Sequence, residues 1–186
     1  MDRSGGHPAP LIQAPIVIRG LSMQRLSEAP ALVLILGFGG LLPFIAGALG
    51  VMVGGQAALQ AATALPVYAA VILSFLAGGR WASELVIRSD TPRSGVLLLS
   101  ITLSLAGWLA VVMQVWNRPG LPLDLEMTGW GLLIAGFVIQ FLWDRTAIRG
   151  ATFPRWYLPL RFLLTAVAVL CLGLTAFVRS SPTFSL

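Results

Sequence analysis

The sequence predicts an all-α integral membrane protein: a bundle of five transmembrane helices, N-terminus cytoplasmic and C-terminus outside. Three observations carry this expectation. Of 186 residues, 57% are hydrophobic and only 10% are charged, against about 25% charged in an ordinary soluble domain. Mean hydropathy is +0.88, and so little charge cannot supply the polar shell of a water-soluble fold. The apolar residues gather in runs near the length of about 20 that a helix needs to cross a bilayer core. The charge is also one-sided, with 12 basic residues against 7 acidic, and every basic residue is arginine.

The elements follow in order along the chain. Residues 1–30 carry Pro8, Pro10, Pro15 and Pro30 and no clean apolar segment. They read as a flexible cytoplasmic tail, with residues 16–26 lying on the membrane surface, rather than as a signal peptide or a mitochondrial presequence. The uncharged stretch from Ala31 to Gly79 is long enough for two spans, and Gly54-Gly55-Gln56 divides it. The first span is therefore 31–53 and the second 57–79, joined by a turn so short that they lie antiparallel. A polar segment precedes the third span, 95–115. Pro119, Gly120 and Pro122 then break the chain before the fourth, 128–143. That span is short, so it either begins nearer Leu125 or thins the bilayer locally. Gly150 and Pro154 interrupt the next connection, the fifth span is 158–178, and residues 179–186 form a short tail.

Arginine counting gives the orientation. Assigned to alternate segments, ten of the 12 arginines fall on one side and Arg118 and Arg179 on the other. Arginine-rich loops stay in the cytoplasm, which places the N-terminus there. Trp81, Trp143 and Trp156 then mark cytoplasmic ends of spans and Trp116 and Trp130 outer ends, as expected of indole anchors at the interface. The net charge of +5 accordingly fits anionic lipid at the cytoplasmic face rather than nucleic acid.

Chemistry-bearing residues are few. With one histidine, His7, and one cysteine, Cys171, neither a disulfide nor a Cys/His metal centre is expected, and no cofactor motif is present. Arg80, Glu84, Asp144 and Arg161 collect at the cytoplasmic level. They read either as a polar site opening between the second, fourth and fifth spans or as interfacial anchors joined by a salt bridge, because lone charges at that depth must pair or snorkel. Pro43 and Pro66 lie inside the first two spans at similar depth and should kink them, with Tyr68 and Ser74 as nearby polar groups; such kinks either line a cavity or are ordinary membrane-helix features. Small residues at spacing four, among them Ala46, Gly50 and Gly54, and Ala70, Ser74 and Gly78, mark faces for close helix packing within the bundle or for a homodimer.

Several strings resemble a known family. They are Leu36-Gly37-Phe38-Gly39-Gly40-Leu41-Leu42-Pro43-Phe44, the run from Tyr68 to Trp81, Asp144-Arg145, and the run from Trp156 to Thr165. Together they are similar to a family of small membrane proteins named only as a domain of unknown function, which includes transmembrane protein 69. Ala77 and Ala82 depart from the glycines expected there. The resemblance implies a multi-helix protein of the bacterial inner membrane, or alternatively of the mitochondrial one. It supplies no activity, but raises Pro43, Ser74, Arg80, Trp81, Asp144 and Arg161 as motif positions.

Three functions are open at this point. The leading one is a non-enzymatic protein supporting assembly or organisation of a membrane complex, with a membrane-protein partner or a second copy of itself. The second is a small transporter or channel for an anionic or lipid-like solute. The third is a lipid-modifying enzyme using Asp144 or Glu84 as a base, for which no nucleophile or metal set is apparent.

Overall fold

The computed structural model describes residues 26, 28–118, 123–149, 153–154 and 156–181. Most of the expected N-terminal tail and the last five residues lie outside the described residues. The described residues form six α-helices and no strand. They are α1 (Ala31–Gly39), α2 (Leu42–Val53), α3 (Gly55–Ile87), α4 (Ser94–Val115), α5 (Leu125–Arg149) and α6 (Tyr157–Ser180). With α1 and α2 taken together, five helical segments are long and apolar enough to cross a membrane.

The first span differs from its expected form. Pro43 does not kink a continuous helix; the helix stops at Gly39 and restarts at Leu42, with Pro43 in the first turn of α2. Proline has no N–H to offer the carbonyl four residues back and its ring clashes there, whereas the first turn of a helix tolerates it. The break is held from the neighbouring α3, where the Tyr68 hydroxyl donates to the Gly40 carbonyl at 2.8 Å. Pro66, by contrast, sits inside a helix that continues through it.

The turn between α2 and α3 is tighter than the expected Gly54-Gly55-Gln56: α3 already begins at Gly55, so Gln56 is helical. Gly54 and Gly55 have φ of 83° and 59°, values that side chains resist and glycine adopts freely. Two spans are longer than expected. α3 runs for 33 residues, about 50 Å, and carries Arg80 and Glu84 within its last turns instead of ending before them. α5 starts at Leu125 because the Asp124 side chain accepts the Met127 backbone N–H at 3.1 Å, an N-cap bond. It then continues past Trp143 to Arg149.

α3 is the central helix, packed against α2, α4 and α5, and α6 closes the group by packing on α5 and α2. α1 leans on α6 and buries none of its own residues. Phe44 keys three helices together. Its ring meets Tyr68 of α3 and Phe137 of α5 edge-on, at 5.2 and 5.7 Å, the preferred aromatic arrangement. Lipid is as apolar as leucine, so close approach rather than exclusion of water binds such helices. α4 meets its neighbours this way: a Cβ on Gly107 would stand 3.3 Å from the Ala70 backbone, and one on Gly129 would stand 2.7 Å from the Ala110 carbonyl. The outward faces carry exposed Leu, Ile, Val and Phe, the surface a bilayer requires.

Candidate functional site

Polar side chains converge where the arginine-rich ends of α3, α5 and α6 meet. α3 contributes Arg80, α5 contributes Gln140 and Asp144 one helical turn apart, and α6 contributes Arg161. The Arg161 Nε donates to Asp144 Oδ2 at 2.8 Å and the Gln140 amide donates to Oδ1 at 3.0 Å. Arg80 Nε lies 3.9 Å from Oδ1, too long for a hydrogen bond but close enough for charge attraction. Its guanidinium sits over the Trp143 ring, 4.6 Å from the centroid, which adds a cation–π contact. Arg80, Asp144 and Arg161 are 6%, 1% and 5% exposed. Two guanidiniums thus face one carboxylate, away from water, leaving an excess positive charge. Arg80 Nε, Arg161 Nη2 and Gln140 Oε1 are buried without a hydrogen-bond partner.

Three of the four residues expected to cluster are therefore joined, and Glu84 is not. Both of its carboxylate oxygens are taken by the Arg93 guanidinium, at 2.9 and 2.7 Å, and Oε1 also accepts the Arg93 backbone N–H. Arg88 approaches from the next turn at 3.8 Å. Glu84 fastens the start of α4 to the end of α3. Its hydrogen bonds raise the Arg93 guanidinium above its ordinary pKa.

A crevice of about 150 Å³ opens beside this cluster, between the broken helix α1–α2, α3, α5 and α6. Among the described residues Arg161 is the only charged one of its lining; Leu41, Phe44, Phe137 and Ala168 form its apolar floor. A second cavity of about 220 Å³ lies at the opposite end of the bundle, lined by Pro66, Gln114, Glu126 and Arg179 among others. There Arg179 of α6 grips Glu126 of α5 through two bonds of 2.7 and 3.1 Å. The two prolines do not share a cavity. Pro66 is buried against the second one, whereas Pro43 is exposed on the outer surface of α2.

The remaining expectations divide. Tyr68 steadies the helix break and Ser74 is half-buried on α3. Trp116 is exposed, and Trp81, Trp143 and Trp156 are half-buried. Trp130 is a correction. It is 1% exposed and packs in the protein core, because its position on α5 turns it toward the bundle. Gln140, the stacking of Trp143 on Arg80 and the Glu126–Arg179 pair are not among the expected site features. The spacing of four between Gln140 and Asp144 was a usable signal, as was the placing of Glu126 and Arg179 at the same end of adjacent spans.

The sequence profile of a family described as "Protein of unknown function (DUF3429)" matches residues 29–177, from just before α1 almost to the end of α6. The chain belongs to the DUF3429 family. It is also similar to transmembrane protein 69 of Xenopus tropicalis, with 32% identity over 151 residues, covering 81% of this chain and 55% of the relative. The chain thus spans about half the length of that curated relative. No solved structure matches it. The DUF3429 match takes in the whole Arg80–Asp144–Arg161 cluster and both halves of the broken first span, and the protein is a multi-pass helical membrane protein of that family.

Proposed function

We propose that this DUF3429 protein is a non-enzymatic inner-membrane protein that binds an anionic group at Arg80, Asp144 and Arg161, as carrier or receptor for an anionic or lipid-like solute. The carrying observation is the charge imbalance: two buried guanidiniums on one carboxylate, with Arg80 Nε and Arg161 Nη2 unpartnered. An unmatched buried cation is costly, and an incoming phosphate or carboxylate would both neutralise it and accept those N–H groups. The acid–base alternative is weaker. Asp144 already accepts a hydrogen bond on each oxygen and Glu84 is fully engaged by Arg93, so neither is a free base. The bacterial plasma membrane is the proposed location, the mitochondrial inner membrane the alternative. Purified protein in a neutral detergent should retain anionic lipid or phosphate, seen by native mass spectrometry, and Arg161→Gln should lose it. Equal retention by the two proteins would sink the reading, and liposome flux of the bound solute separates carrier from receptor.

A second reading, support of a larger membrane complex, rests on α1. This half-helix buries none of its residues and leans only lightly on α6, so most of its surface is available to another membrane protein or to a second copy. Mild-detergent copurification should then recover a stoichiometric partner that is lost when α1 is altered. A monomer that brings nothing with it would count against this reading.

The proposed topology follows the arginines: N-terminus and the Arg80–Asp144–Arg161 cluster cytoplasmic, C-terminus outside. A reporter fused to the C-terminus should be active only outside the cytoplasm.

A further inference from the structure

We infer that the crevice at the helix break is the seat of an acyl chain, so that the anion bound at Arg161 is the phosphate headgroup of a lipid from the same leaflet. This rests on the anion-binding reading above and specifies the ligand. Polarity along the crevice is the first support. On α6 its lining runs from Arg161 through Leu164 to Ala168, about 10 Å of helix, from the arginine-rich end toward the middle of the span. Every other described lining residue is apolar or glycine. A site charged at headgroup level and wholly apolar below it has the polarity of an amphiphile, not of a free anion.

Access is the second support. Leu36 and Phe75 line the crevice and are among the most exposed residues of the outer surface, at 66% and 74%, so its mouth faces the bilayer sideways. Phe44, Phe137 and Ala168 close its floor at 1–2% exposure. The helix break itself makes the room. Gly40 and Leu41, the two residues between α1 and α2, line the crevice together with Gly37 and Phe44 on either side. The charge is the third support: Arg161 Nη2 is buried and unpartnered, and the local charge is positive, complementary to a phosphate.

The test measures binding of inorganic phosphate and of butyl, octyl and dodecyl phosphate to the full-length protein in neutral detergent. Gly37→Leu fills the crevice from the loosely packed α1, where the atoms nearest a Cβ belong to the flexible Leu164 and Leu160 side chains, at 3.3 Å or more. Leu164→Ala enlarges it. Comparing variants at each chain length removes the effect of partitioning into micelles. Wild-type affinity should rise about tenfold or more from inorganic to dodecyl phosphate. Gly37→Leu should abolish most of that gain while leaving inorganic phosphate unaffected, and Leu164→Ala should alter the chain-length profile without altering inorganic phosphate. If both variants follow wild type at every chain length, or if inorganic phosphate binds as well as dodecyl phosphate, the acyl seat is overturned and the anion site stands. If wild type binds no phosphate of any kind, the anion reading falls and this inference with it.

Discussion

Asp144 is the polar junction of three helices. It is the shared acceptor for Gln140 and Arg161 and the counter-charge for Arg80, so one side chain joins three helices. Asp144→Asn keeps the shape but leaves two buried guanidiniums without a counter-charge. Removing one partner of a buried pair costs about 3–5 kcal/mol, and unfolding in mixed micelles should show a loss of that order. Asp144→Asn combined with Arg161→Gln should lose less than the sum of the two single variants, because the second removes part of the stranded charge. Tyr68→Phe tests a smaller effect. Losing its bond to the Gly40 carbonyl should cost about 1 kcal/mol, measured by the same unfolding experiment.

At the scale of elements, the helix break and the small-residue contacts make separate predictions. Pro43→Ala restores an N–H that can reach the Gly39 carbonyl, so α1 and α2 should merge into a straighter rod. Spin labels placed near the two ends of the first span should then move apart in a distance measurement. At the α4–α5 contact, Gly129→Ala drives a methyl group to within 2.7 Å of the Ala110 carbonyl oxygen and should destabilise by about 1–3 kcal/mol. Gly131→Ala, two residues on, meets nothing within 4 Å and should be close to neutral. The spans themselves were legible because a bilayer demands long, uncharged runs, and Gly54-Gly55 stands out in such a run. The facing of each helix was less legible. Trp130 has the side chain of an interface anchor, yet its rotation about α5 directs it into the core. Pro43 was visible, but sequence alone did not distinguish a bend from a complete stop with room left beside it. Arg80, Asp144 and Arg161 are recognisable together because charges set into the ends of spans on one side of the membrane must pair or snorkel. Glu84 reads with them in the sequence because it shares a helix face with Arg80, while its partner, Arg93, lies across a loop.

At the scale of the molecule, α5 and α6 form an antiparallel pair tied at both ends. Glu126–Arg179 closes one end and Asp144–Arg161 the other, and eighteen residues separate the two ties on each helix. A separation equal on both helices makes the pair a rigid gauge of about 27 Å, close to the hydrocarbon thickness of a thin bilayer. The charges can neither slide inward nor be drawn apart without breaking a tie, so this pair has little freedom to adapt its apolar length to its surroundings. Resistance to unfolding should therefore peak in bilayers of about that thickness and fall on either side. Glu126→Gln, which loosens one tie, should broaden that optimum. Lipid thickness would then act on this protein as a mechanical load, delivered through two ion pairs to the helices that carry Asp144 and Arg161.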